Sequence, residues 1–324
     1  MSLVDLSSIA SLLICPRCGS PLAPSEPGFR CSSASCAFHP PASFPLSEPW
    51  PVLVDFEHSI LQRDDAVVTD ASVGVALGAG RWSIDRLPRR MRSWWKPPNR
   101  VAQRNVELLL SLLPGESPLV LVIGGATVGN GVEALYEDQR VGVVGFDVYG
   151  SALVQFIADA HQIPLRDRSV DGVVIQAVLE HVLEPPKVIA EAHRVLREGG
   201  IVYAETPFLQ QVHAGAYDFT RYTSSGHRFL FRKFDEIAAG PVAGPGTQLL
   251  WSIDHLVRGL TRSELAGKLA RALFFWMRGL DRAVPTAFAL DSASAVYFLG
   301  RRSDGELGPH EIAGYYAGAQ RPRA

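Results

Sequence analysis

Cysteine and long apolar runs are scarce in this chain of 324 residues. The four cysteines, Cys15, Cys18, Cys31 and Cys36, all lie in the first 36 residues, so the remainder cannot form disulfides. No uncharged apolar run of about 18 residues occurs, which argues against a transmembrane span. A basic N-terminal region and a small-residue cleavage site are also missing. The sequence therefore predicts a cytoplasmic protein without a secretory signal.

An excess of one charge sign is also missing, because the formal net charge is −2. This argues against an overall basic nucleic-acid binder. The segment Arg81–Arg104 nevertheless holds eight Lys/Arg residues, one Asp and three Trp. It leaves open a contact with nucleic acid, anionic lipid or an acidic glycan. A solvated helical arm that packs its tryptophans on the domain explains the same pattern.

The four cysteines form two short pairs, Cys15-x2-Cys18 and Cys31-x4-Cys36, separated by 12 residues. Two such loops on a hairpin can supply four thiolates to a tetrahedral zinc ion. A module this small would gain much of its folding free energy from the metal. Four Cys ligands leave no open coordination position, which predicts a structural zinc. Replacement of one ligand by His39 and four ordinary cysteines are the alternatives.

Strand and helix patterns alternate from residue 119 onward. Buried-strand patterns cover Leu119–Ile123, Val141–Phe146, Leu153–Ala158, Val170–Ile175, Ile201–Glu205 and Ser294–Leu299. Helical patterns cover 100–113 with Asn99 as cap, Val132–Tyr136, Pro186–Leu196 ending at Gly199-Gly200, and two amphipathic helices between 248 and 283. Thr261 and Glu264 predict a capping box for the second of these. The alternation predicts an α/β fold with a parallel sheet and helices on both faces.

A glycine-rich turn follows the first strand of this pattern. Gly124-Gly125-Ala126 and Gly129 let the backbone turn tightly and approach a ligand closely. Asp147 follows the second strand, 23 residues after Gly124, where an acid can accept hydrogen bonds from a ribose diol. The turn alone also fits a degenerate nicotinamide fingerprint, which keeps an oxidoreductase open at this point.

The downstream segment resembles the methyltransferase type 11 family of class I S-adenosylmethionine-dependent methyltransferases. The matching residues are Asp159-Ala-His-Gln-Ile-Pro, Ser169-Val-Asp, Val178-Leu-Glu-His-Val and Arg194-Val-Leu-Arg-Glu-Gly-Gly, in the family's order. The resemblance covers about 119–208 and implies a Rossmann-like methyltransferase sheet. It implies that Gly124, Gly125 and Ala126 line the methionine and ribose, that Asp147 holds the ribose, and that Asp159 and Ala160 lie at the adenine. Gln176 would begin the loop beside the methyl group.

Three positions depart from the family pattern. Val122 stands where an acidic residue usually orders the glycine loop, and Ala126 replaces a glycine. Only 11 residues separate Asp147 from Asp159, which predicts that the helix between the second and third strands is shortened or missing.

Residues 13–56 also resemble short zinc-ribbon proteins that activate certain RNA and protein methyltransferases. The resemblance rests on CPRCGSPL, the second cysteine pair, Phe44-Pro-Leu and Pro51-Val-Leu-Val. It implies a structural or partner-directed ribbon. We therefore predict a zinc-ribbon-like module at 1–62, a linker and helical arm at 63–118, and a methyltransferase domain at 119–324 with a helical insertion at about 248–283.

Methyl transfer needs a base only when the acceptor carries a proton. The candidates for this chemistry are His181, after the fourth strand, and a cluster after the fifth that comprises Glu205, Pro207, His213, Asp218, Arg221 and Tyr222. Of these, His213, in a polar and aromatic segment, and His181 are the candidate bases. A role in packing or in ordering a lid explains either histidine as well. Asp218 and Arg221, three residues apart, could pair with each other.

The predicted function is methyl transfer from S-adenosylmethionine to a small-molecule, glycan or lipid-linked acceptor. The alternative is a non-catalytic binding protein that docks a protein partner through its zinc ribbon. An apolar stripe through Leu265, Leu269, Leu273, Phe274, Met277 and Leu280 predicts a core or dimer-facing helix, with a helix at a membrane surface as the alternative.

Overall fold

The computed structural model describes residues 2–26, 28–47, 49–62 and 98–321. The predicted basic segment therefore lies outside the described residues up to position 97. Its last residues begin a helix over Arg100–Leu112, where the side chain of Asn99 accepts a hydrogen bond from the backbone nitrogen of Ala102. The predicted cap at Asn99 is therefore confirmed.

The described strands comprise a small hairpin and one large sheet. The hairpin strands are β1 (Leu22–Pro24) and β2 (Phe29–Cys31). The sheet strands are β3 (Leu46–Ser47), β4 (Trp50–Leu53), β5 (Leu119–Ile123), β6 (Gly142–Asp147), β7 (Phe156–Ala158), β8 (Val170–Gln176), β9 (Leu196–Pro207), β10 (Phe234–Ala243) and β11 (Ala295–Arg302).

Helices flank and extend this sheet. The α-helices are α1 (Leu6–Ile9), α2 (Arg100–Leu112), α3 (Glu133–Glu137), α4 (Pro185–Val195), α5 (Ser224–Leu230), α6 (Pro245–Thr261), α7 (Glu264–Leu273), α8 (Thr286–Ser292) and α9 (Pro309–Tyr315). Short 3₁₀ segments cover Ala10–Leu12, Leu179–His181, Gly215–Tyr217 and Phe275–Arg282.

The strand order in the large sheet is β10-β11-β9-β8-β5-β6-β7-β4-β3. Neighbouring strands from β9 to β4 run parallel, whereas β11 runs antiparallel to both β9 and β10. The chain passes from β5 to β6 on one side and returns to β8 on the other. This reversal creates a crevice at the carboxyl ends of β5 and β8, where open α/β sheets bind ligands.

Side chains of β5 alternate between two apolar layers, as the two-residue period of a strand requires. Leu121 and Ile123 pack into the cluster on one face, while Val120 and Val122 pack into the cluster on the other. The predicted α/β fold with helices on both faces is confirmed. Because β5 is packed on both faces, the position of the glycine turn that follows it is fixed.

Strand β4 adds the N-terminal segment to the edge of the sheet. Val52 and Leu53 pair in parallel with Ile157 and Ala158 of β7. The residues between β6 and β7 form no helix, as the short spacing predicts, and a Cβ added at Gly150 would lie 2.2 Å from the ring of Trp50. The indole therefore lies directly against the backbone where the helix is missing.

Several boundaries differ from the sequence-based predictions, such as the start of β7 at Phe156 where Leu153 was predicted, and two of them have a clear local cause. Helix α4 ends at Val195, and β9 already begins at Leu196, because Gly199 takes a left-handed φ of 70° within an irregular start of this strand. The predicted capping box at Thr261 is wrong. Arg262 adopts φ 52° and ends α6, so Ser263 becomes the cap of α7 and accepts a hydrogen bond from the Ala266 nitrogen.

The predicted apolar stripe of α7 faces outward. Leu265, Leu269 and Leu273 are 66%, 63% and 71% exposed, so the stripe is not part of the core of this chain. Among the described residues, no helix combines the length and apolarity needed to cross a bilayer.

Candidate functional site

The four cysteines converge beside the β1–β2 hairpin. Their sulfur atoms all lie within 4.8 Å of one another, with 3.7 Å between Cys15 and Cys36 and 3.4 Å between Cys18 and Cys31. All four are free thiols. Gly19, at φ 73°, closes the first loop by donating its N–H to the Cys15 carbonyl. The cluster has the donor set and spacing of a tetrahedral metal site, and the ring of His39 contacts the Cys31 carbonyl.

The glycine turn after β5 lies at the crevice. Gly124 has φ 73°, and a Cβ there would lie 2.3 Å from Val178 Cγ2. Gly125 donates its N–H to the Phe146 carbonyl over 2.9 Å. The turn is thus held between the end of β6 and the loop after β8, with no room for a side chain at Gly124.

Asp147 ends β6 beside this turn. Its two carboxylate oxygens accept hydrogen bonds from the Ala126 nitrogen at 3.1 Å and the Val148 nitrogen at 2.7 Å. Burial raises the pKa of Asp147 to about 6. Each carboxylate oxygen can accept more than one hydrogen bond, so both retain capacity for a ribose diol. The chemistry and position of Asp147 fit the ribose of an adenosyl cofactor.

Asp159 and Ala160 follow β7 and are both buried. The Asp159 carboxylate accepts hydrogen bonds from the backbone and ring nitrogens of His161, and from the hydroxyl of Ser59. These hydrogen bonds hold its pKa below the ordinary value despite the burial. A ligand amine at Asp159 would therefore have to share an oxygen with Ser59, which belongs to the N-terminal segment.

Glu205 at the end of β9, one of the candidates that the sequence marks after the fifth strand, makes hydrogen bonds that the sequence did not predict. It is buried and accepts hydrogen bonds from Asn99 Nδ2, Gln176 Nε2 and the Tyr203 hydroxyl. Burial raises its pKa.

Gln176 and Asn99 extend this network to the far end of the glycine turn. Gln176 Nε2 also contacts the Asn130 carbonyl, and the backbone nitrogen of Asn99 donates to Asn130 Oδ1. A Cβ at Gly129 would lie 1.7 Å from Gln176 Oε1. Glu205 thus orders the glycine turn through Asn99 and Gln176. Val122, which stands where the family usually has an acidic residue, is buried among apolar side chains. The sequence signal for Glu205 is an acidic residue at the carboxyl end of a strand, close to the crevice where the strand order reverses.

His181 and His213, the two candidate bases, lie together. Their rings meet edge to face with centroids 5.0 Å apart. The Nε2 atom of each lies 3.7 Å from Oε1 of Glu180, which is completely buried. Burial lowers the pKa of His181.

The polar segment after β9 carries His213 to this position. Asp218 forms a two-pronged ion pair with Arg221, as its spacing predicts, and also accepts from the His213 backbone nitrogen. Arg221 holds the pKa of Asp218 well below its usual range. Arg221 further donates to the carbonyls of Gln210 and Gln211. The ion pair therefore fixes the segment that presents His213.

Residues 125–204 match the family model described as "Methyltransferase domain". A stretch of 105 residues is 35% identical to an uncharacterised 37.1 kDa protein in transposon TN4556 of Streptomyces fradiae, covering 28% of this chain and 30% of that protein. A stretch of 168 residues is 27% identical to the ubiquinone/menaquinone biosynthesis C-methyltransferase UbiE of Acidiphilium cryptum, covering 50% and 59%. The chain thus spans less than two thirds of either relative.

Among solved structures, a SAM-dependent methyltransferase from Archaeoglobus fulgidus aligns with a TM-score of 0.40 and 13% identity, covering 65% of this chain and 98% of that one. The family match includes the turn after β5 from Gly125 onward, together with Asp147, Asp159 and the Glu180-His181 pair. It confirms the resemblance drawn from the sequence, because residues 125–204 match a methyltransferase domain.

Proposed function

We propose that the chain transfers a methyl group from S-adenosylmethionine to a small-molecule, glycan or lipid-linked acceptor. The observation that carries the proposal is the pairing of Asp147 with the glycine turn through the Ala126 nitrogen, inside the residues matched to the methyltransferase domain. This places an acid with spare acceptor capacity next to a turn that has no side chain at Gly124.

Each predicted cofactor residue has a role in this proposal. Gly124, Gly125, Ala126 and Gly129 shape the floor for the methionine and ribose, and Asp147 accepts from the ribose hydroxyls. Asp159 and Ala160 close the adenine end, where the Ser59 hydrogen bond to Asp159 supports the wall from the N-terminal side. Gln176 is held by Glu205 and borders the methyl-donor end. The bound cofactor supplies an electrophilic methyl group.

The acceptor side lies at the Glu180, His181 and His213 cluster. The chain's task there is to hold a nucleophile about 3 Å from the methyl group and in line with the leaving sulfur. An acceptor that carries a proton also needs a route for it. A free Nε2 on either histidine could accept that proton, because Nδ1 of His181 contacts the Tyr217 carbonyl at 2.7 Å and Nδ1 of His213 lies 3.3 Å from the Gln211 carbonyl.

The cysteine cluster has a structural role in this proposal. Four thiolates around zinc would close its coordination sphere and fix the loops that support β4. A protein partner at the same surface would suit the resemblance of this segment to activator ribbons. The proposal assigns catalysis to the crevice and stability to the ribbon.

Calorimetric titration of the purified chain with S-adenosylmethionine, S-adenosylhomocysteine and NADH tests the cofactor class. We expect dissociation constants on the order of micromolar for the two adenosyl ligands and no heat with NADH. A screen of methyl acceptors would follow. Absence of binding by both adenosyl ligands in folded protein would contradict the proposal.

A further inference from the structure

Three side chains near the mouth of the crevice form a second group with metal-ligand chemistry. One oxygen of Glu180 and one nitrogen each of His181 and His213 lie within 4.8 Å of one another. The separations from Glu180 Oε1 to Nε2 of His181 and to Nε2 of His213 are both 3.7 Å. Two donors on a tetrahedral ion with bonds of about 2.1 Å lie about 3.4 Å apart. An ion between them would draw the donors inward by only a few tenths of an ångström.

The carboxylate of Glu180 needs a partner that the described residues do not provide. The residue is 0% exposed, and neither oxygen has a hydrogen-bond partner among the described side chains and backbone. Burying a carboxylate in this way is costly unless it is paired or coordinates a metal. A bound cation is one of the few explanations for such a group in a native protein. One of these oxygens, Oε1, lies 3.7 Å from Nε2 of each histidine.

Both histidines are oriented as metal ligands. Nδ1 of His181 contacts the Tyr217 carbonyl at 2.7 Å, and Nδ1 of His213 lies 3.3 Å from the Gln211 carbonyl and 3.4 Å from Asp218 Oδ2. An Nδ1–H that donates to these oxygens leaves the lone pair on Nε2, toward Glu180. A ligand histidine usually donates its other ring N–H to a carbonyl or carboxylate in this manner.

Another group of ligand types, Asp55, Glu57 and His58, shows the contrast. There, Asp55 accepts from the Arg17 guanidinium and from the ring of His58, and Arg17 also reaches Glu57. Both carboxylates of this group therefore pair with Arg17, which the carboxylate of Glu180 lacks.

We propose that Glu180, His181 and His213 bind a divalent transition metal ion of the zinc class. Two imidazoles and one carboxylate form a donor set that such ions favour. Three protein ligands leave at least one position open for water or for an oxygen of a substrate. His213 is partly exposed, which gives the ion a path from solvent. The site is separate from the cysteine cluster and its existence does not depend on methyl transfer.

Metal binding changes the role of the two histidines. A histidine that donates its Nε2 lone pair to an ion cannot also take a proton at that atom. With the ion bound, His181 and His213 are therefore ligands, and an acceptor hydroxyl in the open position would lose its proton more readily because of the ion's charge.

Zinc content per chain tests the proposal on the full-length protein. The wild type, Glu180→Gln and His213→Ala are loaded with zinc, freed of unbound metal and analysed by plasma mass spectrometry. Glu184→Gln is the matched control, because Glu184 is exposed and pairs with Lys187 close to the site. Cobalt loading provides a second readout, since thiolate-to-cobalt charge transfer reports the cysteine cluster alone.

We expect the wild type and Glu184→Gln to bind about two zinc ions per chain, and both site variants to bind about one. The cobalt–thiolate absorption should be unchanged in all four proteins, which would show that the cysteine cluster is intact in each, and equal melting temperatures would show that the variants are folded. Equal zinc content in the wild type and in His213→Ala would overturn the proposal, because His213 is on a partly exposed segment and its loss does not threaten the fold. The readout is independent of cofactor binding, so a failure of the proposed function remains distinguishable.

Discussion

The backbone nitrogen of Ala126 donates a hydrogen bond to Asp147 Oδ2 over 3.1 Å, which joins the glycine turn to the end of β6. Asp147→Ala removes this bond together with the proposed ribose acceptor. We expect affinity for S-adenosylmethionine to fall at least tenfold, about 1.4 kcal/mol. Calorimetry measures the change, and Asp138→Ala, at the C-terminal end of α3, is the control. Unchanged affinity would remove Asp147 from the site.

Cofactor affinity should depend on pH through Asp147. Burial raises the pKa of Asp147 from 3.8 to about 6, and only the ionised carboxylate can accept from both ribose hydroxyls. Affinity should therefore be constant above pH 7 and fall by about tenfold per pH unit well below pH 6. The folded state holds this proton more tightly than the unfolded chain, so raising the pH from 3.8 to 6 lowers the contribution of Asp147 to stability. Asp147→Asn should flatten the affinity profile, and an unaltered slope would count against the assignment.

Gly124→Ala should disrupt the turn. The new Cβ would lie 2.3 Å from Val178 Cγ2, and the φ of 73° costs a residue with a side chain about 1–2 kcal/mol. We expect loss of cofactor binding and a lower melting temperature in calorimetric scans. Adding Val178→Ala should restore part of the stability, because it removes the clash and leaves the backbone cost. Gly259→Ala, in α6 with open space at the Cβ position, should be neutral or stabilising.

Glu205→Ala would leave its hydrogen-bond donors without a common acceptor in a buried site. Asn99, Gln176 and Tyr203 each lose a bond, and an unsatisfied buried donor costs about 1–3 kcal/mol. We expect the free energy of unfolding to fall by about 3 kcal/mol in urea titrations. Glu107→Ala on the exposed side of α2 should change it by less than about 0.5 kcal/mol. A similar effect of both variants would show that the network does not hold the turn.

The double variant Cys15→Ser/Cys18→Ser tests the ribbon. Loss of two of the four thiolates should abolish zinc in the cysteine cluster and destabilise the hairpin, because metal binding contributes to folding in so small a unit. Cobalt–thiolate absorption is the direct measurement, and Ser35→Ala, whose exposed hydroxyl contacts the Ser33 hydroxyl, is the control. Persistence of full absorption in the double variant would exclude these two cysteines as ligands.

The sequence predicted strand β5 and the glycine turn after it well, because each is determined by residues that are adjacent in the chain. Strand β5 has the predicted bounds Leu119–Ile123, and Gly124 lies in the left-handed region. Some residues of the matching motifs are structural. Arg194 donates to the carbonyls of Ile163 and Leu165, and Asp171 holds Arg197 and the start of β5. Such motifs identify a family through its packing as much as through its chemistry.

The sequence pattern did not predict contacts between segments that lie far apart in the chain. The sequence shows no periodicity that links Trp50–Leu53 to β7, or that brings His213 to Glu180. These relationships arise only after the sheet is assembled. For the same reason the sequence indicated His181 and His213 as separate candidates. Only the structure shows that both lie beside Glu180 and form one group with it.

The pairing of β4 with β7 has a consequence for the order in which the chain is made. Val52 leaves the ribosome long before its partner Ile157, which follows 105 positions later in the chain. Pairing at such a separation forms late because a long loop must close. The first segment to be synthesised is thus among the last to be fixed. Until then β7 presents an open edge. Completion of the sheet and burial of the cysteine-bearing segment should therefore be a single late event in biogenesis.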